Sequence, residues 1–520
     1  MAVFMNILAD SFRLGTKKLL QTLARPSVSG PPLRSELFNI EQLERHAKSM
    51  AGYHTVGTRW ISKSLLARLD DNEAVLRAFT PDPSSKERSR TITPAAEWLL
   101  DNFYLIEEQI QLARRHLPRG YNRGLPFLLN GPSSGYPRVY DIVLELISHL
   151  DAQIDMESLS AFIAAYQTVA SLQLGELWAI PIMLRMALIE NLRRVTTRLA
   201  QAQSDSDLAD SWTHRLREMT EGSPTHLVIV LAEMAKADLP LSSAFVAEFF
   251  QNLSRENPAL HLARSWLEQR LVENGLSIAQ LVHQESQNQA SDQVSVRHSI
   301  NSLRFLNNLD WKEFVETLSA VHEILRKDPA SVYDRMDFAT RDRYRHSIET
   351  LSRHGSLSET EIAELVIGMA ETGALQKGID DRTAHVGYYL IGKGEPHLRR
   401  LALARLPLRT LFERSIRKFP LTFYVGGITC LTLSAVWACI RFLWGFESHG
   451  LNLVGVAILL LLGISQAAAA LMNLLSSILV KPLLLPRMDF TQGIAPDCCS
   501  VPFTYRLFTK CRMEPITPNP

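Results

Sequence analysis

No cysteine occurs before Cys430; the five in the chain are Cys430 and Cys439, inside an apolar run, and Cys498, Cys499 and Cys511, near the end. A secreted domain of that size usually staples itself with disulfides, so the absence suits a reducing compartment. An excess of either charge is missing too: 55 Lys and Arg against 54 Asp and Glu leave +1. No global field therefore recruits nucleic acid or an acidic partner. Alternating β-branched runs bounded by turns are scarce, which argues against a sheet protein. GxxxxGK[ST], GxGxxG after a strand, GxSxG and HExxH do not occur, so nucleotide binding, hydrolase chemistry and a helical zinc-protease site have no local support. The 15 histidines are scattered without metal-ligand spacing, and no zinc site is expected from them.

What is present is 46% apolar residues over 520, enough for two or three cores. Residues 1–33 form an N-terminal extension. It is not a secretory signal, because Asp10 and Arg13 interrupt its apolar stretch and no basic region precedes it. It reads either as an interfacial amphipathic helix or as a frayed extension before PSVSGPPLR.

Helical periodicity dominates 34–400. The clearest helix starts at Thr93 and Pro94, an N-cap followed by proline in the first turn, and runs to the breakers Pro118 and Gly120. Leu99, Phe103, Ile106, Ile110, Ala113 and Leu117 fall on one face. Further helices are expected over 40–50, 139–150, 159–169, 174–199 with a kink at Pro181, and 311–325. The polar stretches QAQSDSDLAD (201–210) and QESQNQASDQ (284–293) read as loops, which divides the region into helical subdomains 34–200 and 211–400.

Two uncharged runs, 419–440 and 451–480, are each long enough to cross a bilayer core, which takes about 20 residues at a rise of about 1.5 Å each. A ten-residue connector, RFLWGFESHG, makes them an antiparallel hairpin. Gly426, Gly427, Gly455, Gly463 and the alanines 467–470 offer close-approach surfaces, and Gln466 and Asn473 suit helix-to-helix hydrogen bonds better than a transport site. Arg399, Arg400, Arg405, Arg409, Arg414, Arg417 and Lys418 precede the first run, within or beside a basic juxtamembrane segment 401–418. Lys481 and Arg487 follow the second, while the connector has Arg441 offset by Glu447. The basic bias places both termini in the cytosol, with the lipid bilayer as partner and 481–520 as a cytosolic tail. The fold class is thus mostly α: a multi-helix cytosolic region followed by a two-helix transmembrane hairpin.

Candidate chemistry is thin. Asp205 and Asp207 could hold a divalent metal against a nucleotide-sugar diphosphate if a strand end aimed them, but here they read as a solvated loop. Glu107-Glu108 and Asp380-Asp381 read as surface charge, since neighbours on a helix diverge. Trp98, Phe103, Tyr104, Tyr388 and Tyr389 could stack on sugar rings, yet aromatics at helical spacing usually serve a core. No catalytic, substrate-binding, cofactor-binding or metal residue is assigned.

Seven segments carry a resemblance: LFNIEQLERHAKSMAGYH (37–54), LLARLDDNEAVLRA (65–78), ITPAAEWLLDNFYLIEEQI (92–110), LPRGYNRGLPFLLNGPSSGYPRVYDIVLELISHLD (117–151), LQLGELWAIPIMLRMALIENLRR (172–194), DPASVYDRMDFATRDRYRHSIE (328–349) and AHVGYYLIGKG (384–394). With the two crossings and LPRMDF (485–490), they resemble, in the same order, the N-terminal region of the bacterial cyclic β-1,2-glucan synthases. The resemblance implies an inner-membrane protein in which a glycosyltransferase domain uses UDP-glucose and a divalent metal, both outside this stretch. A processive QxxRW motif is absent; Arg59-Trp60 has Val56 where Gln is needed. After 497 the chain reads CCSVPFTYRLFTKCRMEPITPNP instead of a Val-rich strand, which reads as a truncated or frame-shifted end. The expectation is a membrane-anchoring, scaffolding portion of such a synthase, catalytically incomplete and packed beside the transferase domain of an intact homologue. The competing class is a free-standing membrane-anchored interaction protein.

Overall fold

The computed structural model describes residues 32–57, 63–80, 93–117, 124–220, 224–237, 239–253, 261–404, 416, 419–443, 450–479 and 485–489. The described residues form nineteen α-helices and one two-residue β pair, so the mostly α expectation holds. Two compact units divide after Ala320.

The first unit opens with α1 (Ile40–Tyr53), started by a reciprocal capping box between Asn39 and Gln42. β1 (Val56–Gly57) pairs antiparallel with β2 (Phe127–Leu128). Between them lie α2 (Leu65–Phe79), α3 (Pro94–Asp101) and α4 (Phe103–His116). The single helix expected from Thr93 is two helices. Asn102 breaks it, because its amide Nδ2 donates to the Trp98 carbonyl at 2.8 Å and its Oδ1 accepts from Arg304 at 2.5 Å. The apolar face is as expected, with Leu99, Ile106, Ile110, Ala113 and Leu117 buried.

α5 (Arg138–His149), α6 (Met156–Gln167) and the 47-residue α7 (Leu174–Thr220) complete the main core, which also takes in the later part of α11 (Ile278–Asn307) and α12 (Trp311–Leu318). Both loop expectations are overturned. Residues 201–210 lie inside α7 and 284–293 inside α11. The polar residues there pair one turn apart: Gln201 with Asp205 at 2.9 Å, Gln203 with Asp207 at 3.1 Å, and Gln289 with Glu285 at 3.1 Å. More decisive is the second core, where Ala209, Trp212, Leu216 and Leu281 pack with α8 (Pro224–Lys236), α9 (Ser243–Leu253) and α10 (His261–Glu273). α7 and α11 each run from one core into the other, and burial at both ends keeps the polar middles helical.

The expected helix 311–325 is likewise two helices, α12 and α13 (Ala320–Leu325), separated by the extended residue Ser319. The second unit contains α14 (Phe338–His354), α15 (Glu359–Lys377), α16 (Gly387–Leu390) and α17 (Glu395–Leu401), whose core centres on Tyr333, Tyr344, Ile348, Val366 and Leu390. α18 (Pro420–Leu443) and α19 (Gly450–Leu479) follow.

Candidate functional site

α18 and α19 hold the two apolar spans. Windows Pro420–Arg441 and Ile458–Ile478 have mean hydropathies of 1.7 and 2.0, yet only 11% and 6% of each is buried within the protein. A core helix of a soluble protein would be covered; these present Leu421, Leu433, Trp437, Leu459 and Leu462 outward. Such surface is stable only in an apolar solvent, which marks the chain as a membrane protein. The helices join through Tyr424, whose hydroxyl donates to Asn473 Oδ1 at 2.8 Å. Of the four expected glycines only Gly427 meets its neighbour, under Met472; space around Gly426, Gly455 and Gly463 is open.

The upstream flank of the hairpin follows α17, where Leu398, with Ala402 just after the helix, is part of the second unit's core. The downstream flank returns to the same core. The Asp337 backbone N–H donates to the Arg487 carbonyl at 3.0 Å and that of Asp489 to the Arg335 carbonyl at 2.8 Å, so Met488 and Met336 form an isolated antiparallel β-bridge. Arg487 N–H also donates to Thr340 Oγ1 at 3.0 Å, and Met488 packs on the core.

The turn that receives this bridge is itself pinned by Asp328. Its buried carboxylate accepts from the backbone N–H of Val332 at 3.2 Å, Tyr333 at 3.3 Å and Val386 at 3.1 Å, and from His385 Nδ1 at 2.7 Å. The other ring nitrogen of His385, Nε2, lies within hydrogen-bonding distance of the Tyr344 hydroxyl at 3.2 Å. Burial, with the Asp328 carboxylate adding to it, pushes the Tyr344 phenol up to about 12. An Asp-His-Tyr chain resembles catalytic apparatus, but Tyr344 is only 2% exposed. Its role here is to lock the segments 328–337 and 384–391 together.

The first unit buries charge in the same way. Arg138 forks onto Glu176 at 2.9 and 2.5 Å. Glu190 receives Arg68, Arg193 and Arg194 at 2.5, 3.0 and 2.8 Å. Burial disfavours its charge, but the guanidiniums of Arg193, Arg68 and Arg194 outweigh that and hold it at about 2.

The sequence-level candidates do not converge on chemistry. Asp205 and Asp207 lie on α7, each tied to its own glutamine. Glu107 pairs with Arg77 at 3.2 Å, and Asp381 caps a turn by accepting from Thr383. Trp98 and Tyr104 are exposed, Phe103 packs on the core, and Tyr389 is buried beside Tyr388. Arg59-Trp60 falls outside the described residues. Linear spacing did hide one cluster: His46, Glu145 and His149 meet across α1 and α5.

Fold and site thus define a helical membrane protein whose two-helix hairpin is held at both flanks by one core. No family model matches the chain. It is similar to the cyclic beta-(1,2)-glucan synthase NdvB of Rhizobium meliloti (strain 1021), with 29% identity over 475 residues; the match covers 89% of this chain but only 16% of that protein's length.

Proposed function

We infer that the chain is the membrane-anchoring and scaffolding portion of a cyclic β-1,2-glucan synthase, with glucosyl transfer from UDP-glucose carried by other segments of such an enzyme. The observation that supports this most is the clamp. Residues 487–489, which follow the hairpin, bond to the core that also precedes it, which supports a role in holding a domain continuing from 490 near the membrane anchor. In this reading the hairpin crosses the bacterial inner membrane twice and both termini are cytosolic. The basic residues Arg399, Arg400 and Arg487 flank the crossings, and the connector has little net charge.

Topology is tested in a cysteine-free variant carrying single cysteines at Ser448 or Ser356. In intact cells an impermeant thiol reagent should label position 448 and spare 356. Labelling of 356 alone, or recovery of the chain in a detergent-free supernatant, contradicts the anchor. The purified chain given radiolabelled UDP-glucose should transfer no glucose; robust transfer overturns the scaffolding assignment.

A further inference from the structure

The strongest unassigned chemistry lies in the first unit. His46 Nε2 and His149 Nε2 approach the same carboxylate oxygen, Glu145 Oε2, at 3.4 and 3.6 Å, and one ligand atom from each residue lies within 4.8 Å of the others. Glu145 and His149 are one helical turn apart on α5 and so share a face; His46 comes from α1, brought opposite by packing.

The hydrogen-bond geometry makes the cluster unusual. His149, 7% exposed, donates Nδ1–H to the Glu36 carbonyl at 2.7 Å. Its Nε2 is thereby turned towards the Glu145 carboxylate, 3.6 Å away. His46 Nε2 is shut from solvent and has no hydrogen-bond partner among the described residues. Phe38 stacks on His149 at 3.9 Å and meets His46 edge-on at 5.6 Å, so one wall is apolar. Two imidazole nitrogens and a carboxylate oxygen around one space form a donor set that a cation at the centre would satisfy.

We propose that His46, Glu145 and His149 bind a single Zn²⁺, with water in the fourth position on the side where Glu145 is open. Ligands about 2.0–2.1 Å from a tetrahedral ion lie about 3.3–3.4 Å apart, close to the spacings of both histidines from Glu145. The Glu36 carbonyl supplies the outer hydrogen bond that orients a ligating imidazole. Binding would tie the entry segment and α1 to the end of α5. The assignment is independent of the glucan synthase reading.

The test uses the full chain, purified in detergent through a histidine-free tag, stripped with EDTA and titrated with Zn²⁺ against a chromophoric chelator. One equivalent should bind, and Co²⁺ should give the visible bands of a tetrahedral nitrogen and oxygen site. Glu145→Gln and His46→Asn, both at partly exposed positions that spare the core, should each weaken binding at least tenfold. The competing outcome is a protonated His149 paired with Glu145. In that case the chain keeps no zinc beyond the double variant, its melting temperature does not respond to Zn²⁺, and the site is refuted.

Discussion

The Tyr424 hydroxyl on α18 donates to Asn473 Oδ1 on α19, a 2.8 Å side-chain link between the two apolar helices. Inside lipid neither group has water as an alternative partner, although an opened hairpin can find others. Coupling across membrane helices therefore averages about 0.6 and reaches about 1.7 kcal/mol. A double-mutant cycle with Tyr424→Phe and Asn473→Ala, read by thermal unfolding in detergent, should return a coupling of about 1 kcal/mol. Additive single effects would show that the bond does not join the helices.

Glu190 is the counter-charge to Arg68, Arg193 and Arg194. Glu190→Gln leaves buried guanidiniums uncompensated and should cost about 3–5 kcal/mol at neutral pH. Because the guanidiniums depress the folded-state value to about 2, below the ordinary glutamate value of about 4.5, the wild-type advantage is complete above that ordinary value and disappears as pH falls towards 2. Unfolding of the two proteins across that range should converge at the acid end; parallel curves would contradict the ion network.

Asp292 has the opposite sign. Burial pushes it up to about 6 despite the guanidiniums of Arg198 and Arg34. The native state then holds a proton that the unfolded chain has released, so its contribution is largest below 3.8 and is lost as pH rises through 6. Relative to Asp292→Asn, the wild type should gain stability as pH drops from 7 to 4, by roughly 1–3 kcal/mol. A flat difference would argue that the carboxylate stays ionised.

Asp328→Asn replaces a four-donor acceptor with a group that has one acceptor oxygen and two protons of its own. The loss should be about 2–3 kcal/mol. Hydrogen exchange should rise at the amides of Val332, Tyr333 and Val386, and also at Asp337 and Asp489, whose bonds hold the segment returning from the hairpin. Protection unchanged at Asp489 would separate the carboxylate cluster from the clamp.

Much of the architecture was legible in the order of residues. Cap and breaker signals located the helix starting after Thr93, and an uncharged run of twenty or more residues can be stable only in lipid or a large core. These properties depend on neighbours within a few turns, which periodicity reads directly. The misreadings share a cause. Stretches 201–210 and 284–293 are polar enough to be loops, and only the second core, assembled from distant helices, makes them helical. The break at Asn102 was not legible because Arg304, which reaches its oxygen, lies 202 residues away.

The sequence by itself determined a helical chain with a lipid-facing hairpin, because helix formation and transfer into a bilayer are sums over local residues. Tertiary structure alone decided which charges face each other: Asp328 with His385, Glu190 with three arginines, and His46 with Glu145 and His149. Electrostatic partnership depends on distance in space, and packing of helices from separate parts of the chain sets that distance.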